Sequence, residues 1–331
     1  MRWHPLKFRP VYQERVWGGR RLESVFGRRL PAGCRIGESW EVSDRSGAES
    51  VVDVGWLAGR TLRELMALDP CGLWGRGALD GVRFPWLCKL LDAGEDVSFQ
   101  VHPPACVAAR FGGEPKTELW FVAEADPGAC VWAGVQPGVT PGQLERCARD
   151  GTVSACVRRI PVSAGDALFV PSGRLHALGK GVVIFEIQQN SDTTYRVFDW
   201  NRLGLDGKPR QLHLVEALAC IDFGDTRAAL IGREWSMGRS GCRVRELVRD
   251  PAFRVEHLSG SGTVSDPRPS GMLTVVAVVR GGLRVEAGGL AIGVGPGDFV
   301  LLPGGMEGAA MEACAGSEWL EVTPGDAGGA G

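Results

Sequence analysis

The sequence predicts an all-β protein with a few short helices, built as two strand-rich units joined by a short helical connector. Three observations carry that expectation. Forty-eight glycines and 20 prolines among 331 residues recur as punctuation between short apolar segments, the pattern of many short strands and tight turns. Two-residue alternation, which sends successive side chains to opposite faces of a strand, recurs in residues 37–43 and 97–102. Helical periodicity is confined to three short stretches, and one of them, 213–222, lies between two strand-rich halves.

The elements follow in order. Residues 1–60 form a lead-in of short strands and turns, with Trp17-Gly18-Gly19 as a turn and 37–43 as a strand. Residues 61–68 form a helix, with Thr61 as N-cap, Glu64 closing a capping box and Pro70 as its stop. Residues 84–91 form an apolar strand interrupted by Lys89, which either snorkels outward or faces a polar cavity. Strands are expected at 98–102 and 115–122. Thr140-Pro141-Gly142-Gln143 opens a helix with Pro at its first turn, and Gly151 ends it. Strands follow at 157–162, 166–170 and 182–189. Beyond the helix at 213–222 the pattern returns to strands, among them 273–279, 283–286 and 298–302. The Gly/Ala-rich residues 325–331 are expected to fray.

Composition narrows the function. Hydrophobic residues make up 44% and charged residues 23%, with a net charge of −2, so neither nucleic acid nor an anionic membrane surface is an expected partner. The ten cysteines show no CxxC spacing, which argues against a zinc knuckle or a thioredoxin-type motif. No run of 18 apolar residues appears, and the first ten residues carry no apolar signal-peptide core. Reduced thiols and a cytoplasmic setting are therefore expected.

Two stretches carry the chemistry. In residues 97–102, Val97, Phe99 and Val101 face one way, while Ser98, Gln100 and His102 face the other, about 7 Å apart per two-residue step. A hydroxyl, an amide and an imidazole on one face suit a strand lining a metal-holding cavity. The second stretch, Gly165 to His176, matches the second cupin motif, G-x5-P-x-G-x2-H, at Gly165, Pro171, Gly173 and His176. The first cupin motif then fits Gly94, Gln100 and His102, with Gln100 where a histidine usually stands. The chain has five histidines, and two of them fall on these motif positions.

The whole pattern resembles the type I mannose-6-phosphate isomerase family, whose members are zinc cupins. The resemblance runs through most of residues 1–222: WGG at 17–19, GESWEVS at 37–43, SFQVHP at 98–103, PKTELW at 115–120, the motif ending at His176, and EIQQNSDTTYR at 186–196. It implies two cupin-type jelly-roll β-barrels, and one Zn²⁺ per chain held by Gln100, His102, Glu118 and His176. It further implies substrate contacts at Lys89 and Ser98, and catalytic roles for Lys116, Glu186 and Arg196. The implied reaction interconverts mannose 6-phosphate and fructose 6-phosphate through a cis-enediol. Lys116 and Glu186 are both candidates for the base. Arg196 is better suited to stabilising charge, because a guanidinium stays protonated.

The expected domains are a catalytic cupin over 1–210, the connector over 211–225, a degenerate cupin-like domain over 226–324 and the tail. In the C-terminal domain Gly297, Pro303 and Gly305 repeat the second motif, but Gly308 stands where its histidine would be, so no metal is expected there. Two other readings are open: a cupin enzyme of another kind, acting on a different sugar phosphate or as an iron-dependent oxygenase, or a non-catalytic sugar-binding or regulatory cupin. Among the former, an iron-dependent oxygenase would present more histidines than this Gln100-containing set. A pure binder has no need of Lys116, Glu186 and Arg196.

Overall fold

The computed structural model describes residues 1–75, 83–264 and 271–325. The expected frayed tail lies outside these, save for residue 325. The chain is mostly β with a few short helices, in the order β1 (Leu6–Lys7), β2 (Val11–Gly19), α1 (Arg21–Phe26), β3 (Ile36–Val42), α2 (Leu62–Leu68), α3 (Pro70–Trp74), β4 (Trp86–Ala93), β5 (Phe99–Val101) and α4 (Ala105–Ala108). There follow β6 (Glu118–Ala125), β7 (Cys130–Val135), α5 (Pro141–Asp150), β8 (Val157–Pro161), β9 (Ala167–Val170), β10 (His176–Leu178), β11 (Val182–Gln189), β12 (Tyr195–Phe198) and α6 (Leu214–Cys220). The C-terminal strands are β13 (Ser236–Met237), β14 (Arg243–Asp250), β15 (Phe253–Val264), β16 (Thr274–Arg280), β17 (Leu283–Ala287), β18 (Leu290–Val294), β19 (Phe299–Leu302) and β20 (Ala310–Thr323).

The chain divides into two compact units that do not follow chain order. One comprises Met1–Val11, Trp40–Cys88 and Gly232–Gly331; the other comprises Tyr12–Ser39 and Lys89–Ile231. The consecutive division expected from the sequence missed this because β1 pairs with β19, Leu6 opposite Leu301, a contact across nearly the whole chain.

In the second unit two open sheets face one another. One has the order β12-β5-β10-β7-β8, and the other β2-β3-β4-β11-β6-β9. Between them lies a cluster including Trp17, Leu91, Trp120, Val131, Leu178 and Ile184. The outer face of the first sheet is covered by α5 and α6, which bury Leu144, Ala148, Ala217 and Cys220 against Phe99, Val101 and Trp132. Strand β7 shows the alternation directly, with Cys130 and Trp132 toward the helices and Val131 and Ala133 toward the facing sheet. The segment expected as a connector is thus α6, a covering helix of this unit.

Local signals held where a cap specified them. Thr61 and Glu64 form the capping box of α2, although Pro70 opens α3 instead of merely ending α2, since its missing N–H costs nothing in a first turn. Thr140 caps α5 by accepting from the Gln143 amide, and Gly151 closes it at φ 74°. The expected turn at Trp17–Gly19 is the end of β2. Its glycine serves close approach: a Cβ on Gly18 would lie 2.4 Å from the Gly37 nitrogen of the neighbouring strand.

In the first unit the motif remnant has a packing role. Gly304 and Gly305 donate to the carbonyls of Leu73 and Gly72 at 2.8 Å each, and a Cβ on either would meet backbone of this segment within 2.8 Å. The turn that follows a metal-motif strand here docks helix α3. His4 in the same unit is buried. Its Nδ1 donates to the Pro5 carbonyl at 2.7 Å and its Nε2 accepts from the Leu57 amide, so the ring is held neutral, and burial lowers its pKa. The unfolded chain therefore binds the proton more readily, and stability should fall as pH drops below about 6.5. Urea midpoints measured across pH 5 to 8 should show this slope, and His4→Gln should reduce it by the share of one group, since His102, His176, His213 and His257 are lowered as well.

Candidate metal centre and active site

The metal-ligand candidates come from both facing sheets. His102 follows directly on β5, and His176 opens the adjacent β10, where it pairs with Gln100. Glu118 opens β6 on the opposite sheet. The fifteen residues between His102 and Glu118 are the crossing from one sheet to the other, by way of α4 and a short loop. That crossing accounts for a spacing longer than a single hairpin would need.

The three side chains are buried, and their ligand atoms lie within 4.8 Å of one another. His102 Nδ1 donates to the Thr193 carbonyl and His176 Nδ1 to the Arg174 carbonyl, both at 2.8 Å. A carbonyl can only accept, so each neutral ring turns its Nε2 lone pair inward. His102 Nε2 is in close contact with Glu118 Oε1, and His176 Nε2 is 3.6 Å from the same oxygen. Burial, then the neighbouring Lys116, holds His102 well below its ordinary pKa. Burial and His102 bring His176 down to about 3. Burial alone would raise the pKa of Glu118, but Lys116, the contact with Glu186, His176 and Lys89 together outweigh it and bring the group to about 2. Two neutral imidazoles and a carboxylate anion therefore converge their lone pairs on one point, a donor set that fits a divalent metal such as zinc.

Gln100 adjoins this set with a correction to its expected role. Its amide nitrogen, not its oxygen, faces His176 Nε2 at 3.4 Å, while its oxygen accepts from Ser98 Oγ at 3.2 Å. Presenting the oxygen to a metal requires a half-turn of the amide. Ser98 and Gln100 do share the inward face with His102, opposite Phe99 and Val101, as the alternation predicts.

A cavity of about 530 Å³ is lined among others by Lys89, Ser98, Gln100, Lys116, Glu186 and Arg196, and Gln100 and Lys116 connect its wall to the three convergent side chains. Every expected substrate and catalytic residue is brought to it. Lys116 Nζ lies 3.1 Å from His102 Nε2 and 3.2 Å from Glu118 Oε1. Glu186, on β11 opposite Trp120, accepts from Trp120 Nε1 at 3.0 Å. Burial and the negative charge of Glu118 raise it to about 7. Lys89 resolves its ambiguity by facing inward, 3.3 Å from Glu186 and 3.2 Å from Glu38. Burial opposes its charge, but those carboxylates prevail and its pKa rises.

Sequence reasoning missed several partners. Trp120 donates to both Glu118 and Glu186, and two-residue alternation from Glu118 places it on the same face. Glu38 lies in β3, a strand buried at every position, so the alternation across 37–43 could not tell which of its faces meets the site. Arg15 binds Glu38 at 2.8 Å. Asp199 grips Arg202 at 2.7 Å and Arg210 at 3.1 Å. It begins a loop in which Trp200 and Asn201 adopt φ of 57° and 54°, conformations that cost non-glycine residues about 1–3 kcal/mol and concentrate at functional sites.

Comparison with known proteins agrees with this geometry. Residues 6–118 match the family model for the phosphomannose isomerase type I catalytic domain. The chain is 35% identical over 311 residues to mannose-6-phosphate isomerase ManA of Bacillus subtilis, covering 91% of this chain and 94% of that one. A crystal structure of mannose 6-phosphate isomerase from Bacillus subtilis superposes with a TM-score of 0.86 at 30% identity, over 97% of this chain and 99% of that one. A structure of mannose 6-phosphate isomerase bound with zinc and yttrium shares the fold, with a TM-score of 0.73 at 14% identity, over 97% and 99% of the two chains. With sequence, fold and the convergent His102, Glu118 and His176 in agreement, the chain belongs to the type I mannose-6-phosphate isomerase family.

Proposed function

We propose that the cavity interconverts mannose 6-phosphate and fructose 6-phosphate, with one zinc ion held by His102, Glu118 and His176 and by Gln100 after rotation of its amide. The observation that carries this reading is the convergence of three lone-pair donors directly behind Gln100 and Lys116, in the wall of a cavity that also presents Glu186 and Arg196. Bound there, zinc supplies Lewis acidity against the negative charge that develops on the sugar oxygen. Lys116 and Glu186 are the groups placed to move the proton between the two carbons of a cis-enediol pathway. Trp120 fixes the Glu186 carboxylate on one side and Lys89 on the other. Ser98 orients Gln100 and offers its hydroxyl to the sugar. Arg196, whose buried Nε has no hydrogen-bond partner among the described residues, stabilises negative charge on the substrate.

The two sheets of the metal-holding unit, and the nine-stranded sheet of the other unit, each belong, in this proposal, to a cupin-type jelly roll. The adjacency of Gln100 and His176 on β5 and β10 supports it for the metal-holding unit. In the unit that carries Gly297, Pro303 and Gly305 the turn has been given over to packing, and we assign it no metal. The expected domain order along the chain is accordingly replaced by a catalytic unit formed from 12–39 and 89–231.

A coupled assay for fructose 6-phosphate formed from mannose 6-phosphate, run beside elemental analysis, tests the reading. Turnover should vanish on chelation and return with zinc. Activity that survives complete metal removal refutes it, and a zinc-loaded protein inert toward every hexose phosphate favours a sugar-binding role.

A further inference from the structure

Three guanidinium groups line the cavity: Arg15 from β2, Arg196 from β12, and Arg210 from the loop after β12. They lie close together. After burial, the charge of Arg210 is the strongest influence lowering the pKa of Arg196, and Arg15 adds to it, while Asp199 and Asp192 oppose. Two of the three are held from behind. Arg15 donates through Nε to Glu38 at 2.8 Å, and Arg210 donates through one terminal nitrogen to both oxygens of Asp199, at 3.3 and 3.1 Å. Each therefore keeps part of its fork uncommitted. Arg196 makes no ion pair among the described residues, and its buried Nε has no hydrogen-bond partner. Asp192 and Asp206 also line the cavity, yet neither pairs with any of these arginines.

Lys89, expected as a substrate contact, is placed differently. It is buried between Glu38 and Glu186, so two carboxylates already answer its charge. The arginines have the opposite balance: like charges gathered in a partly buried wall repel one another, and an anion among them removes that cost. Guanidinium forks match the spacing of phosphate oxygens and bind them through charge-assisted hydrogen bonds. Anchoring by Glu38 and Asp199 fixes two of the forks before the ligand arrives, which lowers the entropy lost on binding.

We propose that Arg15 and Arg210 join Arg196 as the subsite for the phosphate monoester of the substrate, and that Asp199 is a positioning residue that aims Arg210. The nature of the ligand rests on the isomerase reading; the anion subsite itself rests on the arginines. The test uses the full chain, zinc-loaded and chelated, with inorganic phosphate as the probe. Phosphate should raise the melting temperature of the wild type in both states, and Arg15→Gln and Arg210→Gln should each lose most of that shift. In the coupled assay the same variants should raise KM for mannose 6-phosphate about ten- to a hundredfold, the loss of one or two charge-assisted contacts, with kcat changing far less. Asp199→Asn should reproduce the Arg210 variant, and Asp199→Glu should recover part of the loss. Equal phosphate shifts in wild type and both arginine variants, or an unchanged KM, overturn the proposal. A phosphate shift lost in the variants of a protein inert toward hexose phosphates would uphold the subsite and refute the isomerase reading instead.

Discussion

Replacing His176 by alanine is expected to remove bound zinc and turnover together while leaving most of the fold intact. The imidazole is buried between the two sheets and is one of three donors aimed at a single point. Strand β10 keeps its backbone pairing to β5 and β7, so circular dichroism should change little. Loss of a mere supporting partner of a ligand costs about ten- to a hundredfold in metal affinity or activity, and loss of the ligand should exceed that. Elemental analysis and the coupled assay on one preparation give the answer. A variant that retains stoichiometric zinc would show that the ligand set is wrong.

Lys89→Met should produce the largest loss of stability. The lysine lies between Glu38 and Glu186 at 3.2 and 3.3 Å, with all three side chains buried. Methionine fills similar volume but leaves Glu186 without this cation and Glu38 with Arg15 alone, and breaking such a buried arrangement costs about 3–5 kcal/mol. The sign of the pH dependence follows. Deprived of Lys89, both carboxylates hold their protons to higher pH in the folded chain than in the unfolded one, so the deficit should be greatest at high pH and shrink as the pH falls. Chemical denaturation at pH 5.5 and 8 measures it. An equal deficit at the two pH values would mean that the loss is one of packing and not of charge.

The chemistry was legible in the letters to the extent that it lay within single strands. Ser98, Gln100 and His102 announced a shared face through alternation, and Gly165, Pro171 and Gly173 announced the turn that delivers His176. What connects strands was not legible. Nothing local to Lys89 distinguished an inward lysine from a snorkelling one, because its partners Glu38 and Glu186 lie 51 residues before and 97 residues after it. Glu38 was hidden for a different reason: β3 is buried on both faces, so the alternation across 37–43 did not say which face meets the site. The division into units failed on the same ground, since the pairing of Leu6 with Leu301 is set by complementary edges that no window of sequence contains.

Strand β5 has one further implication. On its reverse side Phe99 packs against Trp132 and Trp200, at 5.4 and 5.3 Å between ring centroids, and the Trp200 indole donates to the Val97 carbonyl at 3.0 Å. Two indoles thus sit one peptide's thickness behind Gln100. Their emission should therefore shift when the site is filled, a change readable by fluorescence without a substrate.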